Sequence, residues 1–397
     1  MMHNLSRRIF LKRGLAGVAG AAIVPPLSSS GGLKVKEDII YRTLGRTGLR
    51  IPVISFGVMR ADNPGLCKAA YEQGITYFDT ANGYQNGNNE TMLGNVFAEY
   101  PRDSFQIATK VRLTGLDKDA KPTKETSMDK FLETFDTSLK RLRMDYVDIL
   151  YVHAVENADI IGYKPILKTL DKLKKSGKIR FTGFSTHKNE HIVIDAAAET
   201  DKWDVILTSY NFQHAFRNDL EAAIKKAAGA GIGIVAMKTL AGGGFFDKEK
   251  TRPMNTTAAI KWALSNPHVH TAIPGMTTFD QLALNIKINS DITLTDQEKN
   301  DILLASSEPG LFCSGCRQCD SACPEGIPVP DIMRAYMYAY GYSDALQAKL
   351  LLSEIGTGPD PCRDCDSCYV KCSRQFNVKE KITDISRLAD VPAEFLA

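Results

Sequence analysis

The chain has 397 residues, 44% of them hydrophobic and 24% charged, with a formal net charge of +3. That composition is ordinary for a globular protein and leaves room for one large domain and a small one. Four cations (Arg7, Arg8, Lys12 and Arg13) lie in a leader with no acidic residue; without them the balance is about −1, so charge gives no reason to expect nucleic acid or an acidic membrane surface as a partner.

At the N-terminus "SRRIFLKR" (6–13) runs straight into "GLAGVAGAAIV", the charged-then-apolar layout of a twin-arginine export signal. A disordered basic N-terminus is the alternative. The apolar run is short for a permanent membrane helix and ends in "PPLSSSGG". Residues 1–33 are therefore expected to be an export signal and linker, delivering a folded protein to the periplasm. No other segment is expected to span a membrane.

"YRTLGRTGLRIP" (41–52) reads as a hairpin capping the bottom of a barrel. Eight β-branched runs follow, at 53–57, 75–79, 105–110, 147–153, 179–185, 204–209, 232–237 and 270–275. Helical patterns separate them. In 128–142 the apolar residues Met128, Phe131, Leu132, Phe135, Leu139 and Leu142 follow the 3.6-residue period, and Ile166, Leu167, Leu170 and Leu173 repeat it before a stop at Gly177. This alternation predicts an α/β (β/α)8 TIM barrel over 39–290. An open doubly wound sheet would usually carry a G-x-G-x-x-G turn after its first strand, and "FGVMRADNPG" has none. "AGGG" (241–244), with no Gly-Lys-Ser/Thr after it, is expected to be a flexible loop.

A linker helix is expected at 291–309, and 310–397 as a small, mainly helical ferredoxin-like domain. Cys67 stands alone on a barrel helix, but the other eight cysteines form two rows of C-x2-C-x2-C-x3-C: Cys313, Cys316, Cys319, Cys323 and Cys362, Cys365, Cys368, Cys372. In two-cluster ferredoxins three thiolates of each row hold one cluster and the fourth reaches the other. That template assigns one [4Fe–4S] cluster to Cys313, Cys316, Cys319 and Cys372, and a second to Cys362, Cys365, Cys368 and Cys323. Structural zinc or disulfides are the alternatives, and a three-iron second cluster is another, because Ser373 replaces the proline found at Pro324. Clusters are built in the cytoplasm, which gives an exported protein a reason to fold first. Between the rows, Ala345, Leu346, Ala348, Leu350 and Leu351 have helical spacing, and Met333, Tyr336, Met337 and Tyr340 are expected to be core.

Three consecutive strand ends bear chemistry. Asp79 ends the second strand, with Tyr84 in the loop beyond; Lys110 ends the third and His153 the fourth. In a barrel all four reach the C-terminal face. A tyrosine of pKa about 10 is a weak acid at neutral pH. A lysine at contact distance is expected to lower it, with Asp79 holding Lys110 and His153 sharing the proton on a substrate oxygen. A structural ion pair and a core histidine are the plainer alternatives for each residue taken singly.

The stretches "GITYFDTANGY…NETMLG", "IATKV", "MDYVDILYVH", "GKIRFTGFS", "GIVAMKTLAGG" and "IPGMTTFDQLALNI" resemble the aldo-keto reductases, specifically the branch with a twin-arginine leader and a C-terminal 4Fe-4S domain. The resemblance implies a catalytic tetrad of Asp79, Tyr84, Lys110 and His153 and an NADPH or NADH hydride donor. It implies cofactor contacts at Ser185, Thr186, Met237, Gly275, Gln281 and Asn285. Of these, Met237 replaces a stacking tyrosine, and Gly275 and Gln281 replace a lysine and an arginine; Leu207 stands where a glutamine is common. The expected function is nicotinamide-dependent carbonyl reduction or alcohol oxidation on a small substrate, with Met59 and Phe212 lining the pocket. The clusters would serve electron transfer, toward a redox partner, or structure. The alternative is an exported electron-transfer protein whose barrel no longer binds nicotinamide.

Overall fold

A computed structural model describes residues 38–247, 251–307, 311–366 and 368–396. The leader, with Arg7 and Arg8, lies outside them. The expected hairpin is present: β1 (Tyr41–Thr43) pairs antiparallel with β2 (Arg50–Pro52). Leu44, fully buried, packs with interior residues of the barrel from below. Gly45 permits that approach. Its φ is +51°, and a Cβ there would lie 2.5 Å from the Gly231 carbonyl oxygen.

The eight expected strands form one parallel sheet in chain order: β3 (Phe56–Gly57), β4 (Tyr77–Asp79), β5 (Gln106–Arg112), β6 (Val147–His153), β7 (Ile179–Thr186), β8 (Val205–Ser209), β9 (Gly233–Met237) and β10 (Thr271–Ala272). Bridges from Ile54 to Ala272 and from Gly57 to Gly275 join the first strand to the last and close the barrel. Regular pairing at β10 covers only part of the expected 270–275; Pro274 has no N–H to extend the ladder. Both faces of the sheet are buried, which is why its strands read as nearly continuous apolar runs. Tyr77, Ile149, Tyr151, Leu207 and Val235 fill the interior, where the Tyr77 and Tyr151 hydroxyls meet at 2.9 Å. Phe78, Leu150, Phe184 and Ile206 belong to the larger core outside it.

That outer core is covered by α1 (Pro64–Glu72), α2 (Asn88–Phe97), α3 (Met128–Leu142), α4 (Lys164–Lys175), α5 (Glu190–Ala198), α6 (Arg217–Gly229), α7 (Thr256–Ser265) and α8 (Phe279–Ile288). Helix α3 has the span that its period predicts. Ser127 caps it by accepting from Lys130 N at 3.2 Å, and Arg143 ends it at φ 57°. Next, α9 (Asp296–Ser307) packs on α7 through Lys261–Glu298 at 3.1 Å and Asn255–Asp301 at 2.7 Å.

The C-terminal segment has its own apolar cluster among α10 (Val329–Tyr336), α11 (Ala345–Ile355) and α12 (Val378–Ser386). Met333, Tyr336 and Met337 are buried there, as expected, with Tyr340 partly buried beside them. On α11 the buried stripe is Ala348, Leu351 and Leu352; Leu350 is 37% exposed because the helical turn rotates it off that face. A π-helical turn, Met337–Gly341, continues α10. The "AGGG" stretch is not a free loop. Gly341 approaches the Gly242 carbonyl so closely that a Cβ would collide with it, and the Phe312 ring lies against Gly242 and Gly243. Among the described residues no helix is long and apolar enough to cross a membrane.

The hairpin contact is testable. Gly45→Ala imposes a left-handed φ on a residue with a Cβ and overpacks the barrel floor, so it should cost about 2–4 kcal/mol of stability, read as a lower urea midpoint at unchanged m.

Candidate active site

The structure brings the expected tetrad together at the C-terminal mouth of the barrel. Lys110, on β5, is buried, and its ammonium has three hydrogens to place. One goes to Asp79 Oδ1, one to Thr80 O at 2.7 Å and one to Tyr84 Oη at 3.2 Å. Tyr84 Oη is thus an acceptor from lysine, and its own proton has no acceptor among the described residues. His153 stands edge-on to the Tyr84 ring, with centroids 6.3 Å apart.

The loop bearing Tyr84 is strained and tied down. Gln85 and Asn86 both have left-handed backbone, at φ 49° and 54°. Gln85 donates to Met59 O at 3.1 Å, and buried Asn89 donates to Val58 O and Ala61 O. Glu90 accepts from Thr109 at 2.6 Å. Asn89 and Glu90 have supporting roles that the sequence reading missed, although they lie in the quoted "NETMLG".

Burial raises the pKa of Asp79, against the pull of Lys110. It opposes the charge on Lys110, yet Asp79 and Tyr84 together carry that pKa upward, which favours the ammonium form. For Tyr84 the sequence expectation is corrected. Lys110 does lower its pKa, but burial raises it more, so the phenol is a full proton carrier at neutral pH. His153 is pushed well below the usual histidine range by burial and by Arg112, Lys110, Lys238 and Arg334, which keeps it neutral.

The expected cofactor contacts fare unequally. Ser185 and Thr186 end β7, both buried, and the Ser185 hydroxyl has no hydrogen-bond partner among the described residues. Thr186 donates to Lys188 O at 3.2 Å. Met237 ends β9 beside the interior cluster that contains Leu207. Gly275 is exposed beside Gly57, and Asn285 is buried on α8. Gln281 Oε1 is engaged within its own loop, accepting from Thr277 N at 2.7 Å. Phe212 does not line the mouth; it is buried with Ala258, Ala259, Ile302 and Ala305. An apolar ring three residues beyond the end of β8 serves the α7–α9 contact instead.

Groups from the C-terminal segment, unanticipated from sequence, stand at the same mouth. Arg334 donates to His187 Nδ1 at 2.8 Å and to Asp331, with Glu156 at 3.5 Å. Lys188 bridges Asp331 at 3.1 Å and Glu156 at 3.4 Å. Tyr338 and Tyr342, their rings 5.9 Å apart, lie within electrostatic reach of Tyr84. The signal was the alternation in "YMYAYGY": Tyr336 and Tyr340 pair with each other, while Tyr338 and Tyr342 take another face.

None of the nine cysteines is joined in a disulfide. The thiols that act on one another fall into two crossed groups. Cys313 is influenced by Cys316 and Cys372, and Cys319 by Cys313 and Cys316. Cys362 is influenced by Cys365, Cys368 and Cys323, and these four line one cavity. Ser373 Oγ lies 3.1 Å from Cys316 Sγ, while Gly315 N and Arg374 N each donate to a row thiol at 3.3 Å. Burial pushes Cys313 up to about 11 and Cys319 up to about 12, so both are protonated as free thiols. Among the described residues no three His, Cys, Asp or Glu side chains are grouped as a metal-ion site. A structural zinc would draw four ligands to about 2.3 Å from one point, whereas a cubane spreads its thiolates over its corners.

The profile of the Aldo/keto reductase family matches residues 58–258. Aldo-keto reductase AFTS1 of Alternaria alternata is 27% identical over 257 residues, covering 55% of this chain and 69% of that protein. L-galactose dehydrogenase of Arabidopsis thaliana is 27% identical over 315 residues, covering 68% and 95%. Among solved structures, aldo-keto reductase AKR11C1 from Bacillus halodurans (holo form) shares the fold with a TM-score of 0.53 and 22% identity, over 70% of this chain and 99% of that one.

Removing the cation from the buried pair should be costly. Lys110→Met leaves Asp79 uncompensated and is expected to lose about 3–5 kcal/mol in urea unfolding, part of which Asp79→Asn restores in the double variant.

Proposed function

Because this chain belongs to the aldo/keto reductase family, we propose that its barrel mouth reduces a small carbonyl compound, or oxidises the corresponding alcohol, using Asp79, Tyr84, Lys110 and His153. One observation carries the reading: Lys110 donates to Tyr84 Oη and leaves the phenol's proton free for a substrate oxygen. A bound NADPH or NADH supplies the hydride, and with it two electrons, to the carbonyl carbon. Tyr84 gives its proton to the oxygen, and Lys110 stabilises the phenolate that remains. Asp79 keeps Lys110 charged and aimed. Neutral His153 can donate one N–H to the same oxygen without competing for the proton. Run backwards, Tyr84 receives the alcohol proton.

The unpartnered Ser185 hydroxyl supports a place for the nicotinamide carboxamide, with Thr186 and Met237 beside it and Asn285 further out. Gln281 is occupied by Thr277, and Gly275 has no side chain, so neither offers the charge that a 2′-phosphate requires. Tyr84→Phe should lower carbonyl reduction by about a hundredfold to ten-thousandfold. Fluorescence titration with NADPH and then NADH should find nucleotide affinity nearly unchanged. Wild-type turnover by the variant would sink the mechanism.

We also propose that residues 310–397 form a ferredoxin-type domain holding two [4Fe–4S] clusters, for electron transfer or for structure, and that the twin-arginine leader exports the loaded protein to the periplasm. The crossed thiol groups and the N–H···S contacts support this assignment. If the rows cross, Cys372→Ser should impair the cluster held by the first row, cutting anaerobically measured iron from about eight atoms per chain toward four and leaving the other cluster's EPR signal. Loss of the second-row cluster instead would refute the crossing.

The second reading, an electron-transfer protein on a barrel without nicotinamide, is favoured by the seating of Phe312 and Gly341 on the loop just beyond Met237. The same nucleotide titrations decide between them: intact clusters with no binding of either nucleotide would select this reading.

A further inference from the structure

An open cleft lies between the barrel loops after β7, β8 and β9 and the C-terminal segment, with His187, Lys238 and Arg334 among its lining residues. Its charges do not balance locally. Lys188 and Arg334 are matched by Glu156 and Asp331 in one closed network. Glu190 is committed to Ser209 and to His214, the latter at 3.3 Å. Lys238 is left over. It follows the last residue of β9 with a left-handed backbone, φ 55°, and makes no ion pair among the described residues. Its nearest described aromatic partner is the Tyr338 ring, 5.7 Å from Nζ. Burial pulls its pKa below the usual lysine range, a cost that a bound anion would offset.

A second donor faces the same space. Arg334 has no acceptor atom, so its 2.8 Å contact requires that His187 Nδ1 accept. His187 is held neutral by burial and by Lys238 and Arg334. Its remaining proton is therefore on Nε2. A cation without an ion-pair partner among the described residues and an imidazole N–H in one cleft suit a planar anion.

We propose that Lys238 and the His187 Nε2–H bind the carboxylate of the substrate, so that the reducible compound is an anionic carbonyl compound such as an oxo acid. Lys238 and Arg334 both act on His153 through charge, so this anion site is within electrostatic reach of the tetrad. Tyr338 is within electrostatic reach of both Lys238 and Tyr84. The assignment rests on the carbonyl-reductase reading, and it explains why Arg334 and Tyr338 of the C-terminal segment stand at a barrel mouth.

The test compares 4-carboxybenzaldehyde with its neutral isostere 4-formylbenzamide by isothermal titration of the anaerobically prepared, cluster-loaded protein. The carboxylate should bind about tenfold tighter. That preference should collapse in Lys238→Gln and persist in Lys238→Arg. Equal binding of the two probes to the wild-type protein overturns the proposal without recourse to any variant. So does a preference that survives in folded Lys238→Gln. Inorganic pyrophosphate that binds tighter than the carboxylate probe and displaces it would assign the cation to a nucleotide phosphate, which also overturns it. Turnover is read separately: a carboxylate preference with no reduction by NADPH or NADH keeps the anion site and sinks the hydride-transfer reading.

Discussion

The buried ammonium of Lys110 is the constraint on which the mouth of the barrel depends. A lysine removed from water must replace its hydration with three fixed acceptors, and here those are a carboxylate, a carbonyl and a phenol. Each acceptor comes from β4 or the loop beyond it, whereas Lys110 comes from β5. The pairing of these two strands, with Asp79 opposite Ala108, sets the register in which the contacts can form. The loop carrying Tyr84 then accepts two left-handed residues, a local cost met by the bonds of Gln85, Asn89 and Glu90. The geometry of these side chains is thus a consequence of satisfying one buried charge.

The C-terminal segment packs directly against the loops at the barrel mouth. Phe312 and Gly341 press on a glycine loop of the barrel, and Arg334 enters the network around His187. Tyr338 and Tyr342 stand close enough to Tyr84 to influence it. The π-helical turn that carries Tyr338 widens the helix at this point, a device often found where a helix must serve a site. Cys313 lines the same cavity as Lys238 and Arg334, so the first cysteine row and the barrel mouth share a wall. A two-electron hydride step and a one-electron cluster would be neighbours there, yet nothing in the arrangement requires them to exchange electrons directly.

Much of the barrel was legible beforehand because its period is local. A strand buried on both faces must be apolar along its length, and a helix lying on it must repeat every 3.6 residues; β6 and α3 therefore fall where the pattern puts them. Strand ends follow from the same pattern, which is why Asp79, Lys110 and His153 could be placed on one face. The direction of the Tyr84 pKa was misjudged for a different reason. Spacing reveals that a lysine is near, but the opposing burial depends on tertiary packing, and the Tyr338 phenol, distant in sequence, adds to it through charge.

The sequence by itself determined the alternation of strand and helix, the four polar residues at the barrel mouth and the two cysteine rows. Each is a matter of residue type at short spacing, which local geometry converts directly into position. Only the tertiary structure decided that Arg334 meets His187 across 147 positions, that Phe212 packs away from the mouth, that Gln281 is spent on Thr277, and that Lys238 makes no ion pair among the described residues. Those outcomes depend on which buried groups find partners. Partnership in a folded chain is settled by proximity across the whole molecule, which local spacing does not encode.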